Sequence, residues 1–366
     1  MTGVVPTVHQ FTPVLEPGAV GSHTLAIQAT LRAAGWTSEI FAARGTDGFG
    51  AFIPFAEYGA TVSAHSDDVL LYHVAIGSEV GAFVADRPER IAVDHHNITP
   101  AEYYERWTPE VAPGIRWGRQ QLATLGPRCA FGIADSAYNR AELTAVGCRP
   151  TAVVPILLDL ATFDRECDES RLAALERAKD DGGADLLFVG RIAPNKCQHD
   201  LIAMLALYRR TADPRARLHL VGGVSSPGYE TALRKFASEL GLGAAVTITG
   251  GISAAALTAY FRAADVFVSA SEHEGFCVPL LESWHHDLPV VARSTTAVPE
   301  TVRDAGVLLP GRSAEVFAAA VARVRSDAEL RTALVAAGRR RLGDFALGAT
   351  QRLLLDTLTT FVDGGR

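Results

Sequence analysis

The chain has 366 residues, which is enough for two domains that each bury their own core. Apolar residues make up 48% and charged residues 20% of the chain, as is usual for a soluble α/β protein. The net charge of −7 argues against the basic face that nucleic-acid-binding proteins present, so we expect no nucleic-acid partner.

The cysteines are five in number, scattered, and without a CxxC pair (Cys129, Cys148, Cys167, Cys197 and Cys277). This pattern is typical of free thiols in a reducing compartment and argues against a structural zinc site. No apolar run is long enough to span a membrane, and the first ten residues lack the features of a signal peptide. We therefore expect a cytoplasmic protein whose membrane contact is at most peripheral, at the inner face.

The first half of the chain predicts a Rossmann-like domain over residues 1–160. Apolar strands alternate there with helices, and a loop rich in Gly and Pro follows the first strand. The predicted strands are 4–9, 38–42, 68–73, 90–95, 130–134 and 152–155, and the predicted helices are 22–34 and 137–146.

The second half predicts another Rossmann-like domain over residues 185–345, after a polar linker at 161–184. Short apolar strands between helices indicate a parallel sheet that is covered on both faces. The predicted strands are 186–190, 217–222, 245–250, 265–270 and 289–292, and the predicted helices are 198–208, 229–240, 253–264, 279–286, 314–325 and 328–342. A last helix, 350–362 within the segment 346–366, is not needed by this sheet, and we expect it to pack back on the first domain.

Two basic residues follow the first strand of the second domain, in the stretch from Gly190 and Arg191 to Lys196. Doubly wound sheets bind ligands at the carboxyl ends of their strands. Positive charge at the start of a helix opposes the helix dipole, so a purely structural role explains these residues poorly. We interpret them as groups that stabilise a departing nucleoside diphosphate.

The string from Glu274 to Glu282 brackets a predicted strand-to-helix turn. The backbone amides of Gly275, Phe276 and Cys277, together with the helix start, can bind a diphosphate or sugar hydroxyls. Glu274 is placed to meet a sugar. Glu282, one turn into the helix, can accept both hydroxyls of a ribose, although a helix with an acidic first turn is the simpler reading of this residue alone.

A further pair, Gly222 and Gly223, follows the next strand and suits either a tight turn or close approach to a ligand. Taken together, these motifs resemble the donor domain of bacterial family-four retaining glycosyltransferases, also called glycosyl transferases group 1, over about residues 184–310. The resemblance implies the GT-B fold, in which two Rossmann-like domains face each other across a cleft. It implies that Arg191 and Lys196 bind the donor diphosphate, that Glu274 faces the transferred sugar and that Glu282 holds the ribose.

The chain departs from this family at two places. Cys277 stands where the family commonly has Gly, and Thr295 and Thr296 replace a Gly pair. The cysteine can narrow the sugar pocket, and the loss of the Gly pair changes what the loop backbone can do. Cys277 as a nucleophile is the sharper alternative, but no paired base is evident and a small buried filler fits better.

The first half resembles the family more loosely. Gly18, Gly21 and Ser22 resemble its glycine-bearing loop under the donor phosphates, with Ser22 as a plain helix N-cap as the alternative. The segments 71–78 and 94–100 resemble segments of bacterial members. His96 would be the family histidine near the donor sugar. His95 competes with it because neighbouring strand residues point to opposite faces.

Two further readings concern the same half. A metal site formed by His73, His95 and His96 is disfavoured. We interpret Ser136, after the strand 130–134, as a helix cap.

The resemblance implies a retaining, metal-independent hexosyltransferase that needs no cofactor beyond its nucleoside-diphosphate sugar substrate. The acceptor would be a sugar, a glycolipid or a small molecule, and the sequence does not indicate an oligomeric state. A nucleotide-sugar epimerase, a pseudo-glycosyltransferase and a non-catalytic sugar-nucleotide-binding protein remain alternatives. A dehydrogenase is disfavoured because the first loop lacks a GxGxxG motif.

Overall fold

A computed structural model of the chain describes residues 5–61, 65, 67–179 and 182–363. Within these residues the chain forms two compact units. The first contains the chain up to Ala101, Glu110–Asp159 and the chain from Phe345 onward, and the second contains Glu102–Pro109 and Leu160–Asp344. Each unit is built around one parallel β-sheet.

The first unit contains a seven-stranded sheet in the order β3-β2-β1-β4-β5-β6-β7. Its strands are β1 (Val8–Leu15), β2 (Ile40–Gly45), β3 (Ile53–Pro54), β4 (Val69–Val74), β5 (Arg90–His95), β6 (Phe131–Ala134) and β7 (Thr151–Val153). The central strands β4 and β6 are buried along their whole length, as their continuous apolar runs predict. The strand order reverses between β1 and β4, which makes the sheet doubly wound.

The second unit contains a six-stranded sheet in the order β10-β9-β8-β11-β12-β13. Its strands are β8 (Asp185–Val189), β9 (Arg217–Val221), β10 (Val246–Ile248), β11 (Val266–Ser269), β12 (Val290–Arg293) and β13 (Val307–Leu309). The order reverses between β8 and β11, so the carboxyl ends of these two strands flank the crevice where such sheets bind ligands.

The described residues contain fourteen α-helices, and none of them is both long and apolar enough to cross a membrane. They are α1 (Ala19–Ala33), α2 (Glu79–Ala85), α3 (Glu102–Glu105), α4 (Ala112–Leu125), α5 (Ala137–Ala145), α6 (Glu169–Lys179), α7 (Gln198–Thr211), α8 (Pro227–Glu239), α9 (Ala254–Ala263), α10 (Pro279–His285), α11 (Val298–Val302), α12 (Ala314–Ser326), α13 (Ala328–Gly343) and α14 (Leu347–Asp363).

The prediction for the first strand, 4–9, is wrong in position. β1 continues through Gln10 and Phe11, which are fully buried and paired with β2, so the chain does not turn into a loop there. Val4 lies outside the described residues. The helix that follows begins at Ala19, after Gly18 at the N-cap, and therefore earlier than the predicted residue 22.

The sequence does not predict α4, because Pro and Gly residues interrupt its helical pattern. Packing explains one of them. A Cβ atom at Gly118 would lie 2.5 Å from the backbone nitrogen of Gly77, so only glycine fits where α4 touches the loop after β4. Tertiary contact therefore overrides local propensity in this segment.

Two segments differ from the predicted domain limits. The predicted linker contains α6, whose Leu172 packs against Ala259 and Ala263 of α9 in the second unit. Residues 102–109 also belong to that unit, since the Thr108 hydroxyl donates to Ser226 Oγ at 2.6 Å. The indole ring of Trp107 lies 5.4 Å from the ring of Tyr229 on α8.

The last helix, α14, lies in the first unit. Leu354, Leu358 and Val362 join the core formed by α1 and the sheet. The Arg90 guanidinium donates to the carbonyls of Phe361 and Val362 at the end of this helix. The C-terminal segment is thus part of the core of the first unit.

We expect Leu358→Ala to lower the free energy of unfolding by about 2–5 kcal/mol, because Leu358 is fully buried and its loss leaves a cavity. Leu353→Ala is the matched control on the same helix, since Leu353 is 42% exposed. Urea denaturation of both variants measures the difference. Equal stabilities would show that α14 does not belong to the core.

Candidate functional site

The carboxyl ends of β8 and β9 approach each other through two glycines. A Cβ atom at Gly222 would lie 2.2 Å from the carbonyl oxygen of Gly190, and Gly222 has φ 145°, a conformation that favours glycine. Close backbone packing therefore explains Gly222 without any ligand. The same packing fixes the start of the loop that carries Arg191 and Lys196.

Lys196 and Glu274 form an ion pair, with 2.7 Å between Nζ and Oε1. Their side chains are 15% and 9% exposed, so the pair is largely shielded from water. Lys196 ends a 3₁₀ turn, Pro194–Lys196, and Glu274 follows β11. The two stretches that the sequence assigns to one pyrophosphate site thus lie together at the carboxyl edge of the second sheet.

Asn195 ties these stretches together, which the sequence does not predict. Its carbonyl oxygen accepts from the amide of Glu272 at 2.9 Å, and its side-chain amide donates to the carbonyl of His273 at 3.2 Å. Asn195 is 1% exposed, so these hydrogen bonds are buried and costly to lose. Its position beside Lys196 was the only signal available in the sequence.

Arg191 differs from Lys196 in its surroundings. The side chain is exposed, and in the described part of the chain its guanidinium has no ion-pair partner. The backbone carbonyl of Arg191 accepts from the Gln198 side chain at 2.9 Å, which holds the loop against the start of α7. Arg191 is thus a free positive charge on an ordered loop.

The turn after Glu274 keeps a glycine-like backbone without glycine. Cys277 has φ 75° and Thr296 has φ 47°, both in the left-handed region that L-residues rarely adopt. At both positions, the family that these motifs resemble commonly has glycine. The substitutions therefore preserve the backbone path and add side chains to it.

Thr296 and its neighbours also hold this turn in place. The Glu274 amide donates to Thr296 Oγ1 at 2.9 Å, and the Thr301 hydroxyl donates to the carbonyl of the buried Phe276 at 2.9 Å. Among the described residues, the amides of Gly275 and Cys277 have no acceptor. Free amides at this turn suit an anion or a hydroxyl group.

Glu282 lies in the first turn of α10, as predicted from the sequence. Burial raises the pKa of its carboxyl to about 7, although Arg165 opposes this shift from 3.9 Å. The carboxylate of Glu282 is therefore buried with little stabilisation from charged groups around it. It is a hydrogen-bond acceptor that a ligand with hydroxyl groups can satisfy.

In the first unit, His96 lies inside a buried polar cluster, and its side chain is 1% exposed. Its Nδ1 lies 3.1 Å from Asp135, and its Nε2 lies 2.9 Å from His73 Nδ1. Burial lowers the pKa of His96, but Asp135 and Asp94 outweigh it and raise this pKa to about 9.

The partners of His96 account for the rest of this cluster. Burial lowers the pKa of His73 to about 4, and His73 Nε2 lies 3.0 Å from Gln10 Oε1. His23 Nε2 lies 2.9 Å from Asp94 Oδ2, and His23 Nδ1 accepts from the amide of Leu157. Apart from Asp94 and His96, which are two residues apart, these groups come from different parts of the chain, so sequence spacing does not reveal the cluster.

His95 points away from this cluster, as strand alternation predicts, and pairs with Glu142 at 2.8 Å. Both histidine side chains are buried. The set of His73, His95 and His96 is also not a common site. Ligand atoms of His23, Asp94, His96 and Asp135 do lie within 4.8 Å of one another, but each is already engaged in the hydrogen bonds described.

The structure shows a helix where the sequence suggests a glycine-bearing loop around Gly21 and Ser22. Both residues lie within the first turn of α1, and the Ser22 amide donates to the Gly18 carbonyl, so it is not free. Ser22 is not the N-cap. A Cβ atom at Gly21 would lie 2.0 Å from the Glu16 carbonyl oxygen, so packing alone requires this glycine. The reading of Ser136 as a helix cap is confirmed, since its side chain accepts from the Asn139 amide.

Comparison with known proteins places these motifs in a family. The family model described as "Glycosyl transferases group 1" matches residues 174–341. The D-inositol 3-phosphate glycosyltransferase of Geodermatophilus obscurus is 33% identical over 253 residues, which cover 66% of this chain and 54% of the relative. That of Thermomonospora curvata is 32% identical over 320 residues, which cover 80% of this chain and 71% of the relative. This chain thus spans about half the length of the first relative.

The fold has close structural neighbours. The Anabaena protein Alr3699/HepE, solved with UDP and glucose, superposes with a TM-score of 0.73 at 18% identity. The superposition covers 97% of this chain and all, 100%, of that chain. The sequence prediction of two Rossmann-like domains is confirmed by this likeness and by the two sheets.

We expect Cys277→Gly to be more stable than Cys277→Ala by about 1 kcal/mol, because Ala keeps the Cβ atom that makes a left-handed conformation costly. Thermal or urea unfolding measures the two variants. Cys167 has no left-handed backbone, so for Cys167→Gly and Cys167→Ala we expect the order to reverse. A Cys277→Ala variant at least as stable as Cys277→Gly contradicts the strain at this turn.

We expect Glu282→Gln to stabilise the protein more at pH 8 than at pH 5. The folded state binds a proton at Glu282 up to about pH 7, whereas the ordinary value is 4.5, so wild-type stability falls as pH rises between these values. The loss is at most about 3 kcal/mol, and Gln avoids it. Urea titrations at both pH values measure the effect, with Glu166→Gln, at an exposed position, as the control. A Glu282→Gln effect that is the same at both pH values would refute the raised pKa.

Proposed function

Because the chain belongs to the glycosyl transferases group 1 family, we propose that it is a glycosyltransferase that moves a sugar from a nucleoside-diphosphate sugar to an acceptor hydroxyl. We further propose that the reaction retains the configuration at the anomeric carbon and needs no metal ion. The observation that carries the proposal is the shielded Lys196–Glu274 pair beside the free amides of Gly275 and Cys277.

Lys196 and Arg191 provide the positive charge in this proposal. Negative charge grows on the nucleoside diphosphate as the sugar leaves, and fixed cations in a partly dry site stabilise it. Lys196 is neutralised by Glu274 in the free protein, so an arriving diphosphate competes with this carboxylate for the ammonium group. Arg191 is exposed and already free to bind a phosphate oxygen.

Glu274 and Glu282 provide the acceptors for hydroxyl groups. When a diphosphate takes over Lys196, the Glu274 carboxylate becomes available to the hydroxyls of the transferred sugar, which lies next to the diphosphate. The Glu282 carboxyl, with its raised pKa, gains hydrogen bonds from a ribose that it lacks in the free protein. Gly190 and Gly222 contribute through packing, because a Cβ atom at Gly222 would lie 2.2 Å from the Gly190 carbonyl oxygen and their close approach fixes the loop that carries both cations.

In the first unit we assign His96 a supporting role rather than a reacting one. Its ring nitrogens are both engaged by protein groups, and its side chain is buried. Asp135 and His73 hold the ring in one orientation. The retained configuration is proposed from the family resemblance, with the leaving phosphate taking the proton of the acceptor hydroxyl.

The relatives suggest which acceptors to try first. The two relatives compared above are named for D-inositol 3-phosphate. A hydroxylated ring is therefore the first acceptor class to test, alongside sugars, glycolipids and other small molecules. A nucleotide-sugar epimerase would instead interconvert donors without any acceptor, and a binding protein would release no nucleoside diphosphate.

We expect Lys196→Ala to lower turnover about 100-fold or more with saturating donor, which is the usual effect of removing one such electrostatic group. Arg191→Ala should act in the same direction. The measurement is release of nucleoside diphosphate in the presence of acceptor, after a screen of UDP, GDP, ADP and TDP sugars.

Lys235→Ala is the control, because Lys235 lies on α8 with its side chain 76% exposed. The melting temperature of each variant shows whether it is folded. Unchanged turnover in folded Lys196→Ala and Arg191→Ala would refute the proposed roles of these two residues.

A further inference from the structure

A cavity of about 470 Å³ lies in the second unit, between α7, α8 and the segment Glu102–Pro109. Its walls are largely apolar and rich in aromatic rings, with Tyr103, Trp107, Tyr229, Leu233 and Phe236 among them. The volume is in the range of small-molecule sites. The cavity touches the 3₁₀ turn that contains Lys196 through Pro194, and Cys197 also lines it. None of the proposed donor-binding side chains lies in its wall.

The positive and negative charges of the wall balance one another. Glu272 and Arg312 form an ion pair at 2.8 Å, and Arg312 also pairs with Asp200 at 3.2 Å. The Arg106 guanidinium lies over the Trp107 ring, 4.9 Å from its centroid. The wall carries two acidic and two basic side chains, counting Glu102, so the cavity offers no surplus positive charge to a phosphate. A ligand without net charge fits this wall best.

The hydroxyl group of Tyr229, at this wall, is a hydrogen-bond donor without an acceptor among the described residues. This follows from the positions of the protons on Arg312, His199 and Tyr229. Arg312 Nη2 lies 3.0 Å from His199 Nε2, and a guanidinium can only donate, so Nε2 accepts. Burial lowers the pKa of His199, so the ring is neutral and its single proton lies on Nδ1. Nδ1 lies 2.7 Å from the Tyr229 hydroxyl oxygen and therefore donates to it.

The Tyr229 hydroxyl oxygen also accepts from the His199 backbone amide at 3.4 Å. Its own proton then has no acceptor among the described residues. Burial raises the pKa of Tyr229 well above the ordinary value, so this proton stays on the oxygen. Tyr229 is 3% exposed, and a buried donor without a partner is unfavourable unless a ligand or water accepts from it.

We propose that this cavity is a binding site for an uncharged ring compound that carries an acceptor oxygen, as a hydroxyl, ether or carbonyl group. The aromatic walls contact the faces of the ring, and the Tyr229 hydroxyl donates to its oxygen. Arg312 and His199 hold that hydroxyl in the donating orientation. The proposal does not depend on the glycosyltransferase activity, because it concerns a separate cavity and is read out by binding.

Three matched probes test the chemistry of the ligand: 2-methoxynaphthalene, 2-methylnaphthalene and 2-naphthyl phosphate. The first has an uncharged acceptor oxygen, the second lacks the oxygen, and the third carries negative charge. We expect 2-methoxynaphthalene to bind the full-length protein at least 5-fold more tightly than either of the others, since one hydrogen bond is worth about this factor. Ligand-observed NMR titration measures the dissociation constants.

Three variants place this binding in the cavity. Ala232→Phe fills the cavity from α8 and should weaken 2-methoxynaphthalene binding at least 10-fold, whereas Ser238→Phe, at an exposed position on the same helix, should leave it within 2-fold. Tyr229→Phe should bring the affinity for 2-methoxynaphthalene down to that for 2-methylnaphthalene and leave the latter unchanged. Because Ala232→Phe can affect folding, Tyr229→Phe with the two uncharged probes provides an independent test.

The proposal is overturned if the wild-type protein binds none of the probes, or if the phosphate binds as tightly as the ether. It is also overturned if Tyr229→Phe does not distinguish the ether from the methyl compound.

Discussion

The candidate site depends on the buried hydrogen bonds of Asn195. This one side chain and its backbone carbonyl join the loop after β8 to the segment after β11. These two strands are neighbours at the point where the strand order of the second sheet reverses, so their loops would otherwise diverge. With Asn195 in place, Lys196 and Glu274 meet at ion-pair distance. The arrangement of charges proposed to bind the donor therefore depends on an uncharged residue.

The second sheet was readable from the sequence because its signals are local. Apolar runs, the Gly190–Lys196 stretch and the Glu274–Glu282 string each lie within a few consecutive residues, and topology alone brings them to one edge. The left-handed backbone at Cys277 and Thr296 was not predicted, because residues other than glycine rarely adopt it. The sequence could not show which residues hold these loops together, because Asn195 and Thr296 form hydrogen bonds to residues of other loops.

The first unit was harder to read for the same reason. The partners of His96 come from β4, β5 and the end of β6, and no spacing rule links them. The packing at Gly21 was not readable, because a glycine required by a nearby carbonyl looks the same in sequence as a glycine that admits a ligand. His96 carries positive charge between two buried carboxylates. Replacing it would leave Asp94 and Asp135 uncompensated, so its loss affects folding as well as any chemistry.

The excursion Glu102–Pro109 has a consequence for how this protein can be divided. The family match covers one contiguous stretch, residues 174–341, yet the second unit is completed by eight residues that come from between two parts of the first. The Tyr104 hydroxyl donates to Asn195 Oδ1 at 3.4 Å, and the Thr108 hydroxyl donates to Ser226 Oγ. A gene fragment cut at the apparent domain boundary would express a second unit with the face of α8 uncovered and Asn195 lacking one partner. Fusing the short excursion to such a fragment would be the minimum needed to restore it.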